Sequence, residues 1–158
     1  MSILDILRKK EPLEVLHYVV LVEAPLNIVG AQLKQWYEDA WRPASRMSFK
    51  NLTNEELRAG SKFVGTFKSP WPTSWNLEVM KFNSSAFLQS NITGFFKGTE
   101  TISVEERFNA IKVDYDLRYE IGNPFSQMVW SVFLEDKFVK EIRQMMEAFK
   151  TNCEKAKA

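Results

Sequence analysis

The stretch IKVDYDLRYEI, residues 111–121, alternates apolar and polar positions without a break, and the segment after it reads as one long helix. Val113, Tyr115, Leu117, Tyr119 and Ile121 fall on one face of the strand, and Asp114, Asp116, Arg118 and Glu120 on the other. Successive strand side chains point to opposite sides, so a sheet of such strands has one wet face and one that must be covered. The cover follows in the sequence. Asn123 suits an N-cap and Pro124 a first helical residue, and the helical pattern then runs to about residue 153. At about 100° per residue, Val139, Ile142, Met145, Met146, Phe149 and Cys153 form one apolar stripe. Phe125, Met128, Val129 and Val132 occupy a neighbouring arc. Glu135 falls inside the joined arc, where a carboxylate is unexpected.

Upstream, the chain supplies the rest of the sheet. LEVLHYVVLVEAP (13–25) is a β-branched run read as a buried strand. Pro25 then opens an expected helix, PLNIVGAQLKQWYEDAW, with Ile28, Val29, Leu33, Trp36 and Tyr37 at helical spacing; Gly30 weakens it slightly. SRMSFKNL is a short strand, and Thr53, Glu56 and Gly60 have the spacing of a capped single helical turn. Strands are expected over 61–69, 75–83, 86–96 and 99–108, with short polar or glycine-containing joins that mark an antiparallel meander. Between the first two lies SPWPTSW (69–75), whose prolines make it a loop and hold Trp71 between them.

A chain of 158 residues fits one domain, here 13–158, preceded by a segment, 1–12, whose Ile3, Leu4, Ile6 and Leu7 read as a short helix packed on it. The net charge of +1 and the lack of a basic block beyond Arg8-Lys9-Lys10 argue against nucleic-acid binding. One cysteine excludes an internal disulfide and fits a cytoplasmic location, and a single histidine with it makes a metal site unexpected. No phosphate loop, nucleophile elbow or cofactor motif appears, so no cofactor is expected. No apolar run approaches the ~18 residues of a membrane span. Aromatic residues are 13% of the chain, including twelve phenylalanines and five tryptophans, more than a core of this size requires.

The order of strand, helix, antiparallel meander and long C-terminal helix, with VLVEAPLNIVGAQLKQW, WRPAS and RAGSKFVG, resembles the START/polyketide-cyclase-like superfamily, which includes the birch-pollen-type allergens. The resemblance spans about 13–153 and its motifs are structural. It implies an α+β helix-grip fold, a curved antiparallel sheet wrapped around the long C-terminal helix with a cavity between them. It also gathers SPWPTSW, TGFFKG (93–98) and EIGNPFSQMVW (120–130) at the wide end of that cavity. The implied ligand-lining residues are Trp71, Trp75, Leu88, Ile92, Phe96, Val104, Tyr115, Leu117, Tyr119, Phe125, Val129 and Val132.

The function implied is binding or transport of a hydrophobic small molecule or lipid, held by buried apolar area and oriented by a few polar groups such as the Tyr115 and Tyr119 hydroxyls. An enzyme resembling polyketide cyclases or dehydrases is the alternative, with Glu106, on the face of Ile102, Val104 and Phe108, and Glu135 as candidate acid–base residues. A protein-interaction module, with a protein partner docked on the aromatic rim, is a third reading. His17, on the first strand, is read as structural, and Cys153 has no basic neighbour to activate it.

Overall fold

The computed structural model describes residues 14–42, 47–68 and 72–156. The expected helix of segment 1–12 and the expected ligand contact Trp71 lie outside these residues. Seven strands, β1 (Glu14–Val22), β2 (Met47–Asn51), β3 (Lys62–Phe67), β4 (Thr73–Asn83), β5 (Phe87–Gly94), β6 (Lys97–Arg107) and β7 (Ala110–Glu120), form one antiparallel sheet in the order β1-β7-β6-β5-β4-β3-β2. The five strands from β3 onward are the expected meander. β1 closes it by pairing with β7, Val20 opposite Val113. The sheet curls around a long helical segment, which gives the α+β helix-grip fold.

That segment starts as expected. Asn123 Oδ1 accepts from the backbone N–H groups of Phe125 (2.8 Å) and Ser126 (3.2 Å), with Pro124 at the first helical position. It is not one uniform helix, however. α2 (Pro124–Val129) passes into a π turn, Trp130–Leu134, and then into its longest part, Glu135–Ala156. A four-residue step overshoots an α turn and falls short of a π turn. The single π turn therefore offsets part of the drift and keeps Trp130, Leu134, Phe138 and Ile142 on one side, all buried. Phe125 and Val132, expected to face inward, are turned to solvent at 69% and 66% exposure, and Val129 is half-buried.

The other difference lies after β1. α1 is Leu26–Leu33, and the chain then turns instead of remaining helical to Trp41. Side chains take the carbonyls that a longer helix would use. Trp41 Nε1 donates to Gln35 O (2.6 Å), and Arg42 donates to Trp36 O. Trp36 and Tyr37, both in this turn, are buried in the core. Gly30, a weak residue for a helix, is needed for packing, since a Cβ there would lie 2.6 Å from Ser84 O in the β4–β5 turn. The expected helical turn at 53–60 is instead a loop. Asn51 Oδ1 accepts from Thr53 N, Thr53 Oγ1 and Asn54 N, at 2.9, 2.9 and 3.1 Å, so the last residue of β2 holds the loop as an Asx turn.

Candidate functional site

Strand parity places a carboxylate inside the sheet. Glu100 shares the inner face of β6 with Ile102 and Val104 and is only 5% exposed. Two phenols reach it: Tyr115, from β7, donates to Oε2 at 2.6 Å, and Tyr37, from the turn after α1, donates to Oε1 at 2.5 Å. The Tyr37 hydroxyl also meets Ser90 Oγ at 2.8 Å. Trp36 is fully buried, and its indole N–H lies near enough to favour the Glu100 charge without making a hydrogen bond. Arg42 adds a positive charge close by. Its guanidinium lies 4.2 Å from the Phe49 ring centroid, bonds Asp39 at 3.3 Å, and keeps its Nε unpartnered.

The electrostatics follow from burial. Desolvation pushes the Glu100 carboxyl up, while the Tyr115 and Tyr37 hydrogen bonds and the Arg42 charge hold it back. Burial, and then the neighbouring Glu100 charge, raise the Tyr37 and Tyr115 hydroxyls well above the usual phenol range, so both stay protonated donors. Burial likewise lowers Arg42 to about 10. The cluster is a buried acid with two fixed donors, able to hold or exchange a proton and to accept a hydrogen bond from a third group.

The space that Glu100 and Tyr115 border, between the sheet and the helix Glu135–Ala156 (α3), measures about 10 Å³. That is close to the room one water needs. Rings occupy the wide end. Phe96 sits 5.2 Å from Trp75, 4.7 Å from Trp130, 5.4 Å from Tyr119 and 5.7 Å from Phe138, centroid to centroid. Trp130 Nε1 donates to the Tyr119 hydroxyl at 3.1 Å. Outside this core, a groove of about 310 Å³ runs between α1 with its following turn and the β2–β3 connection, reaching Tyr37 and Phe63. A shallower groove of about 710 Å³ lies at the opposite end of the sheet, beside Pro25 and Asn109.

The expected lining residues divide accordingly. Trp75, Ile92, Phe96, Tyr115, Leu117 and Tyr119 border the small interior space, and Leu88 and Val104 are buried elsewhere in the same core. Phe125 and Val132 do not reach it. Neither expected carboxylate does. Glu106 is exposed at the shallow groove, beside the β6–β7 turn. Glu135 is half-exposed at the start of α3, its carboxyl raised by partial burial and by Glu14 and Asp136. Glu14 pairs with Tyr119 and Glu106 with Ile111, eight residues apart on β7. Glu106 and Glu135 thus belong to opposite ends of the sheet, on the order of 26 Å apart along the strand. His17 lies on the outer face, 2.5 Å from Asp114 Oδ1. Among the described residues no cluster of three or more metal-ligating side chains occurs, and no helix is long and apolar enough to cross a membrane.

A curled antiparallel sheet gripping a long helix is the helix-grip fold, the architecture that the resemblance to the START/polyketide-cyclase-like superfamily implied. Solved structures bear out that likeness. The KanY protein superposes with a TM-score of 0.70 at 11% identity, over 90% of this chain and 98% of that one. Norcoclaurine synthase from Thalictrum flavum, in complex with dopamine and hydroxybenzaldehyde, gives 0.66 at 11% identity, over 96% and 91%. Major latex-like protein 151 from Panax ginseng gives 0.64 at 10% identity, over 87% and 95%. These likenesses are of fold. No protein-family model and no curated protein matches the sequence.

Proposed function

We propose that this chain binds a hydrophobic small molecule between the sheet and α3, with Glu100, Tyr37 and Tyr115 as the polar anchor, and carries it rather than converts it. The observation that supports this reading most is the buried Glu100 itself. A core built for packing alone gains nothing from a carboxyl that costs several kcal/mol to remove from water. The surrounding apolar and aromatic surface would supply affinity at ~25 cal/mol per Å² of apolar area buried. A synthase of the same fold accommodates two small aromatic molecules, which supports a ligand of that size. With only about 10 Å³ open inside, binding must displace side chains.

The test combines native mass spectrometry of freshly purified protein with titration of the neutral fluorophore N-phenyl-1-naphthylamine, read by quenching of the buried tryptophans. Co-purified small molecules, or saturable one-to-one binding, are expected. Absence of both overturns the reading. A second reading, proton transfer on a bound aromatic or polycyclic substrate, draws on the same carboxyl, because burial raises its pKa and phenols flank it. Under that reading Glu100→Gln abolishes turnover while leaving ligand binding in place. Turnover that survives the substitution eliminates it.

A further inference from the structure

The groove beside α1 and the buried Glu100 share one side chain. The Tyr37 ring forms part of the groove wall with Phe63, their centroids 4.6 Å apart, while its hydroxyl points inward to Glu100 and Ser90. The ring also lies 5.1 Å from Phe49. If Tyr37 swings outward, it vacates a ring-shaped space beside Phe49 and Phe63 that joins the groove to Glu100 Oε1.

Charge on the groove narrows what could fill that space. Its rim carries Lys34 against Glu38, Glu55 and Glu56. Glu55 is paired with Arg58, which leaves two carboxylates facing one ammonium. Inside, Glu100 offers acceptor oxygens, and the nearby Arg42 is already bonded to Asp39 and to the Trp36 carbonyl. Both ends favour a cation or hydrogen-bond donor over an anion.

We propose that the groove and Glu100 are the outer and inner halves of one binding site, that Tyr37 is the gate between them, and that the ligand is an aromatic amine. Its ring takes the place of the Tyr37 ring, and its ammonium takes the place of the Tyr37 hydroxyl on Glu100. This rests on the interior-ligand reading above and adds the route of entry and the chemistry of the head group.

Three probes with the same ring separate the possibilities: 4-methylbenzylamine (cation), 4-methylphenol (neutral donor) and 4-methylbenzoate (anion). The wild-type chain is expected to bind them in that order of decreasing affinity. Tyr37→Phe removes the competing hydroxyl and keeps the ring, so affinity for the amine should rise about tenfold. Glu100→Gln should erase the preference of amine over phenol. As a check that does not disturb the core, Glu56→Gln on the rim should slow association of the amine by about two- to threefold. Benzoate binding as tightly as the amine, or an amine preference that survives Glu100→Gln, overturns the proposal. Unchanged amine affinity in Tyr37→Phe overturns it as well. N-phenyl-1-naphthylamine binding without any head-group preference sinks this proposal and leaves the interior site standing. If neither the naphthylamine nor any of the three probes binds, both fall.

Discussion

Glu100 was within reach of the strand pattern, yet that pattern singled out Glu106, which is exposed, and passed over Glu100, which is buried. Glu106 and Glu100 share one face of β6 with Ile102 and Val104. Alternation identifies the face, but not which end of a long strand the helix covers. Tyr37 was harder to find, since its apolar spacing reads as helix and its inward turn depends on side chains capturing the carbonyls of Gln35 and Trp36. Burial raises the Glu100 carboxyl, so the folded chain keeps a proton that the unfolded chain has released. Stability conferred at this position is therefore greatest below the ordinary value of 4.5 and falls as pH climbs toward the raised folded value. Thermal melts between about pH 4 and 8 should show the wild type losing ground to Glu100→Gln, and parallel curves would refute this. At Gly65, opposite Trp75 in the β3–β4 ladder, an added Cβ would lie 2.5 Å from the indole ring. Gly65→Ala should cost about 1–3 kcal/mol in denaturant unfolding, because the indole must shift. The buried Cys153 thiol, pushed up to about 12 by burial and by Glu154, should resist thiol reagents until the chain unfolds.

At the scale of elements, the meander and the start of the helical segment were legible because their signals are local. Alternation gives the strands, and Asn123-Pro124 gives the cap. The π turn had no local mark. It appeared in the sequence only as two neighbouring apolar arcs, 125–132 and 139–153, in place of a single stripe, and the physical meaning of that offset is a change of turn width. The two faces that result predict contrasting substitutions. Phe138→Ala removes a 3% exposed ring packed on Phe96 and Trp130 and should cost about 3–5 kcal/mol. Phe125→Ala, on the exposed face, should stay within about 0.5 kcal/mol of wild type. Similar losses from both would mean that Phe125 also packs against the core.

For the whole molecule, the sequence composition raised the question of where so many aromatic side chains go. A large part of the answer is one ring cluster, Trp75, Phe96, Tyr119, Trp130 and Phe138, filling the wide end of the grip. Whether such rings line an opening or fill it depends on their rotamers, which no periodicity encodes. Phe96→Ala should therefore trade stability, about 3–5 kcal/mol, for capacity, and gain binding of a small apolar solute such as benzene. A variant that destabilises without taking up the solute would show that the neighbouring rings collapse into the gap.

The pairing of β1 with β7 also sets an order of events during synthesis. Val20 finds its partner only when Val113 has been made, which at cellular rates of elongation takes on the order of ten seconds. During that interval the apolar side of β1, with Val20 and Val22, has neither its neighbouring strand nor its helix, and it is open to any other strand edge nearby. The nascent chain thus spends its early life as a candidate for chaperones, and a ribosome stalled before β7 would leave a fragment prone to aggregate.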